Sequence, residues 1–125
     1  MSTSTNIKFT IAFIDADLDD EEKDSDARKL LAQLKRLDEI ETVNRVLDPN
    51  PPEGNKSTGG FLAGLLTAEV NPSNIKKFGE FLYQRLSSKP IELEVEANGR
   101  KLKVKANSQA DLVVAIEAVQ KFIQV

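Results

Sequence analysis

Residues 59–70 read Gly59-Gly60-Phe61-Leu62-Ala63-Gly64-Leu65-Leu66-Thr67-Ala68-Glu69-Val70 and carry one charge, at Glu69. Wound at 3.6 residues per turn, the stretch is apolar on every side for about three turns. A surface helix shows an apolar stripe opposite a polar face. The expectation is therefore a buried helix, covered by the rest of the fold, by a second chain or by lipid.

The flanking chain supplies the cover. Asn71 and Pro72 punctuate a new helix over 72–87, with Ile75, Phe78, Phe81, Leu82 and Leu86 on one side and Lys76, Lys77, Glu80 and Gln84 on the other. Further on, Ile91, Leu93 and Val95 alternate with Glu92, Glu94 and Glu96. Leu102 and Val104 likewise alternate with Lys101, Lys103 and Lys105. Asn98-Gly99 between them is a type I′ turn signal, so the segment reads as a hairpin. A two-residue loop pairs Ala97 with Arg100 and sets Glu96, Glu94 and Glu92 opposite Lys101, Lys103 and Lys105. Ser108 and Asp111 resemble a capping box opening a last helix, whose inward stripe is Leu112, Val113, Ile116, Val119 and Ile123.

Toward the N-terminus, residues 7–14 alternate as a strand inside the sheet. An acidic corner at 15–22 leads into a helix with Ala27, Leu30, Leu31, Leu34 and Leu37 on one stripe and Asp19 or Asp20 as its cap. Residues 40–47 form a second strand of irregular period, which points to a bulge or an edge position. Residues 48–58 contain Pro51, Pro52 and Gly54 and read as a flexible loop. A sheet with one charged face is covered on one side only. The expected fold is therefore one α+β domain spanning residues 1–125, a two-layer sandwich of about four strands with its helices on one face.

Composition narrows the chemistry. The 125 residues have a net charge of -3 with acids and bases dispersed, which argues against nucleic acid as partner. There is no cysteine and no histidine. Disulfides, thiolate metal sites, histidine-based nucleophile arrangements and the usual zinc sites are thereby excluded. No basic segment precedes an apolar one near the start, and no apolar run reaches the roughly 20 residues of a membrane span. The expected location is the cytoplasm, with no constitutive membrane contact.

Two short matches are weighed against plain loop. Asp15, Asp17 and Asp19 stand at the first three ligand positions of a calcium loop, but Asp20 replaces the turn glycine and Asp26 the bidentate glutamate. A solvated strand-to-helix corner fits these residues better. Lys56-Ser57-Thr58 after Gly54 lacks the glycine spacing of a phosphate loop. No cofactor and no catalytic residue is assigned.

The chain as a whole resembles the effector-associated constant component proteins of bacterial conflict systems. The matching features are Leu37-Asp38-Glu39, Thr42-Val43-Asn44-Arg45-Val46, the Pro/Gly/Lys loop at 51–60, the glycine-containing apolar segment, Phe81-Leu82-Tyr83-Gln84-Arg85, the Asn98-Gly99 hairpin and Phe122-Ile123. The resemblance implies a non-enzymatic adaptor or sensor beside an effector such as a caspase-like or trypsin-like peptidase or an NTP-dependent regulator. It carries no catalytic residues, and it marks Lys56 as a candidate partner contact. The expected function is a protein-interaction module, open to self-association, with Phe61, Leu62, Leu65 and Leu66 as interface candidates beside Lys56. The alternatives are a conditional membrane inserter using the apolar glycine-rich helix and a small ligand- or metal-binding sensor.

Overall fold

A computed structural model describes residues 6–38, 40–48, 61–86 and 89–124. Alternation decides the first element. Strand β1, Ile7–Phe13, buries Ile7, Phe9, Ile11 and Phe13 on one face and turns Lys8, Thr10 and Ala12 to the other. Helix α1, Asp20–Leu34, starts at a capping box. The Asp19 carboxylate accepts from the Glu22 backbone N–H at 2.8 Å, and the Glu22 carboxylate accepts from the Asp19 N–H at 3.0 Å. Strand β2, Ile40–Leu47, is an edge strand with register shifts at 40–42 and 45–47, as its irregular period predicts.

Strand β3, Phe61–Val70, overturns the reading of the decisive stretch. Residues 61–70 are not a helix apolar all round. They form an inner strand hydrogen-bonded to β2 on one side and β1 on the other. The physical reason is backbone pairing on both edges, with the helices covering the inner face. Leu66, Ala68 and Val70 are buried on the helix side, and Phe61, Ala63 and Leu65 are half-buried, so the strand tolerates apolar residues at successive positions. A short apolar run of this kind looks the same as a buried helix to a period test. Leu66, Ala68 and Val70 do alternate with Thr67 and Glu69, and that was the strand signal.

The chain then turns through Pro72–Asn74, where the Asn71 side chain accepts from the Ser73 N–H at 2.9 Å, into α2, Ile75–Leu86. Strands β4, Ile91–Ala97, and β5, Arg100–Ala106, form the predicted hairpin. Asn98 and Gly99 have φ of 55° and 77°, both positive as a type I′ turn requires. The register sets Glu92, Glu94 and Glu96 opposite Lys105, Lys103 and Lys101 as expected. Helix α3, Gln109–Gln124, closes the described chain, with the Ser108 hydroxyl accepting from the Asp111 N–H at 3.2 Å.

The sheet is antiparallel throughout, in the order β2-β3-β1-β4-β5. Among the described residues there are five strands where about four were expected, and β3 is the addition. Because β3 opposes both β1 and β2, those two run parallel with β3 between them. Likewise β3 and β4 run parallel with β1 between them. The first six elements thus make a split βαββαβ arrangement, extended by β5 and α3.

Helices α1, α2 and α3 lie over one face, as expected for an α+β sandwich. Ala27, Leu30 and Leu34 of α1, Phe78, Leu82 and Leu86 of α2, and Leu112, Ala115 and Val119 of α3 join the inward residues of the sheet in one core. The Phe9 and Phe78 rings meet at 4.7 Å between centroids, tilted by 56°. The opposite face carries the Glu/Lys ladder. Among the described residues, no helix is long and apolar enough to cross a membrane.

Candidate functional site

One end of the β2–β3 pair is organised by a buried ion pair. Asp24 sits three residues before Ala27, on the stripe that α1 presses to the core, and its side chain is 2% exposed. Pairing of Arg45 with Leu66 and of Val43 with Ala68 turns both β2 residues toward the same layer, and the Arg45 side chain is 8% exposed. The Arg45 guanidinium donates to the Asp24 carboxylate through Nη2. Burying either charge alone is unfavourable by several kcal/mol, so each requires the other.

The guanidinium also fastens β3. Its Nε donates to the Leu65 carbonyl at 3.1 Å and its Nη2 to the Leu62 carbonyl at 3.3 Å. The second Asp24 partner is the Gly64 N–H, at 3.3 Å. Gly64 has φ +74°, and a Cβ there would stand 3.0 Å from the Lys23 Cβ and 3.4 Å from the Phe13 carbonyl oxygen. Only glycine allows this approach of strand to helix without strain. Arg28, one turn along α1, reaches the other Asp24 oxygen at 3.8 Å from a half-exposed position.

Above this pair lies an apolar surface. The Arg45 guanidinium carbon is 5.0 Å from the centre of the Phe61 ring, within cation–π range. Phe61 pairs with Leu47 across the strands, and Leu47 is 69% exposed. Leu62 and Leu65 are half-buried. The ion pair fixes the backbone that bears these apolar side chains, through the Leu62 and Leu65 carbonyls and the Gly64 N–H.

The expected site residues divide accordingly. Phe61, Leu62 and Leu65 are half-buried at the same end of β3, Leu65 beside Ala12 on the outer face and Phe61 against the Arg45 guanidinium, but Leu66 is 0% exposed and belongs to the core. An alternating strand has no other place for it, since Leu66 faces inward where Leu65 faces outward. Lys56 lies outside the described residues, as do residues 49–58 of the loop expected at 48–58.

Asp15, Asp17 and Asp19 shape the strand-to-helix corner. The Asp15 carboxylate accepts from the Asp17 N–H at 3.0 Å, and Asp19 caps α1. Among the described residues no group of three or more acidic side chains could hold a metal ion.

Sequence reasoning missed Asp24, Arg45 and Leu47 as site residues. Asp24 had a signal: it is the acid that interrupts the apolar stripe continued by Ala27, Leu31 and Leu34. Arg45 stands two residues after Val43, hence on the same strand face.

An open groove of about 530 Å³ runs between α2 and α3. Lys76, Tyr83, Gln84, Ile116 and Gln120 are among the side chains that line it, a mixed surface without convergent polar groups. Compared with known proteins, the chain matches no family model, no curated sequence and no solved structure.

Proposed function

We propose that the chain is a non-enzymatic adaptor of the cytoplasm. It docks a peptidase-like or NTP-dependent effector on the apolar end of the β2–β3 pair. The observation that carries this reading is the placement of Leu47, 69% exposed, beside Phe61, on a backbone clamped from below by Arg45 and Asp24. A large aliphatic side chain exposed on a well-fixed strand end is what a partner surface can bury. The resemblance to effector-associated constant component proteins supports the choice of effector. The membrane-inserting alternative loses its premise, because residues 61–70 are an inner strand whose release would strip β2 of its strand partner among the described residues and open one edge of β1.

Affinity purification of the tagged chain from native lysate, followed by light scattering of the chain with any caspase-like or trypsin-like peptidase or NTPase it retains, tests the proposal. A stoichiometric complex is expected with the wild-type chain. Leu47→Asp should abolish it while leaving the melting temperature unchanged, since Leu47 contributes little to the core. A complex that survives Leu47→Asp and Leu65→Asp places the interface elsewhere. Absence of any complex removes the adaptor reading.

A further inference from the structure

The opposite edge of the sheet has a separate design. Among the described residues, β4 is the only strand partner of β5, so β5 ends the sheet. In a two-residue type I′ hairpin the residues flanking the turn exchange backbone hydrogen bonds, and the exchange recurs at every second pair. Arg100, Leu102, Val104 and Ala106 therefore point their backbone groups at β4. Lys101, Lys103 and Lys105 point theirs at the open edge.

The side chains of the same three lysines stand exposed on the outer face of the sheet, each with a glutamate of β4 opposite. The Lys101 ammonium is 3.7 Å from a Glu94 oxygen. A strand added outside β5 sets its own outer-face residues next to these lysines. A second copy of β5 is unsuitable, because any register that matches the pleat places lysine against lysine, and like charges directly opposite are destabilising. Acidic residues at alternate positions, the pattern of β4 itself, are complementary.

The helix side of that edge is apolar. At 100° per residue, Val113, Ile116, Glu117 and Gln120 of α3 face α2, which turns Ala118 and Phe122 to the other flank. The Arg100 guanidinium carbon, 5.0 Å from the centre of the Phe122 ring, confirms that this flank overhangs β5. Ala118 and Phe122 are half-buried, and Val114 above them is 64% exposed. We infer that β5 is a strand-addition site for an extended segment of a partner protein that alternates acidic with aliphatic residues. The acids lie beside Lys101, Lys103 and Lys105, and the aliphatic side chains lie under Val114, Ala118 and Phe122. This surface is at the far edge of the sheet from Leu47, and the inference stands whether or not the β2–β3 end binds an effector.

The test uses the full chain and a labelled, acetylated peptide of alternating Glu and Val, with a peptide of alternating Lys and Val as control. Fluorescence anisotropy should show saturable binding of the acidic peptide only. Lys103→Glu should weaken that binding by about tenfold or more, through a lost attraction and a gained repulsion. Lys103→Gln, which disturbs the ladder less, should weaken it to a smaller degree. Amide exchange should slow at Lys101, Lys103 and Lys105 when the acidic peptide is bound. Binding that neither Lys103 variant alters, protection confined to other strands, equal binding of both peptides, or no binding would each overturn the assignment. Dimerisation of the free chain with protection at β5 would instead make a second copy the occupant and overturn it equally.

Discussion

Replacing Asp24 with alanine leaves the Arg45 guanidinium without its carboxylate in a position where the side chain is 8% exposed. Breaking a buried pair from one side is destabilising by about 3–5 kcal/mol. Arg45 keeps the Leu62 and Leu65 carbonyls and the face of Phe61, so Asp24→Ala should lie near the lower end, at about 3 kcal/mol. Arg45→Ala also removes the packed stem beneath Phe61 and should lie higher, at about 4 kcal/mol.

The double variant Asp24→Leu with Arg45→Met removes both charges and refills the volume. Three backbone groups, the Gly64 N–H and the Leu62 and Leu65 carbonyls, still lose partners, so its loss should be about 2–3 kcal/mol. That is far less than the sum of the single losses. Urea unfolding followed by circular dichroism reads the cycle. With a slope of about 1–3 kcal/mol per molar, Asp24→Ala should lower the midpoint by about 1–3 M. The loss should vary little with salt, because a buried pair is poorly screened. Single losses that sum to the double within about 0.5 kcal/mol, or an Asp24→Ala chain within about 0.5 kcal/mol of wild type, would refute the claim that one coupled pair holds α1 to β2 and β3.

Two further outcomes follow from local geometry. Gly64→Ala forces a Cβ to 3.0 Å from Lys23 in a left-handed backbone, so it should lose about 1–3 kcal/mol by thermal unfolding, where an unstrained glycine-to-alanine change would gain stability. Asp19→Ala deletes one half of a capping box and should lose about 1 kcal/mol, and calorimetric titration of either protein with calcium should give no heat of binding.

Much of the frame was legible in the residues because local chemistry sets it. The Asn98-Gly99 turn, the facing glutamates and lysines, the Asp19 cap, the irregular edge strand and the inner position of the first strand all follow from neighbours within a few residues or across one turn. The site was less legible. Asp24 and Arg45 are 21 residues apart and look like two ordinary surface charges until a fold brings them together. Leu65 and Leu66 differ only in which way a strand turns them, so assigning both to an interface followed from assigning a helix to both.

The sequence alone determined that residues 59–70 are too apolar to stand in water, and that their cover comes from the rest of the fold or a partner. Tertiary structure alone decided that residues 61–70 are a strand, paired at its edges with β1 and β2 and covered on its inner face by the helices. A period test weighs the distribution of apolar residues around a single segment, whereas strand pairing depends on backbone hydrogen bonds to β1 and β2, each distant in the chain. Gly64 marks the difference most clearly. It permits a close approach of an inner strand to α1, where its N–H meets the carboxylate of Asp24.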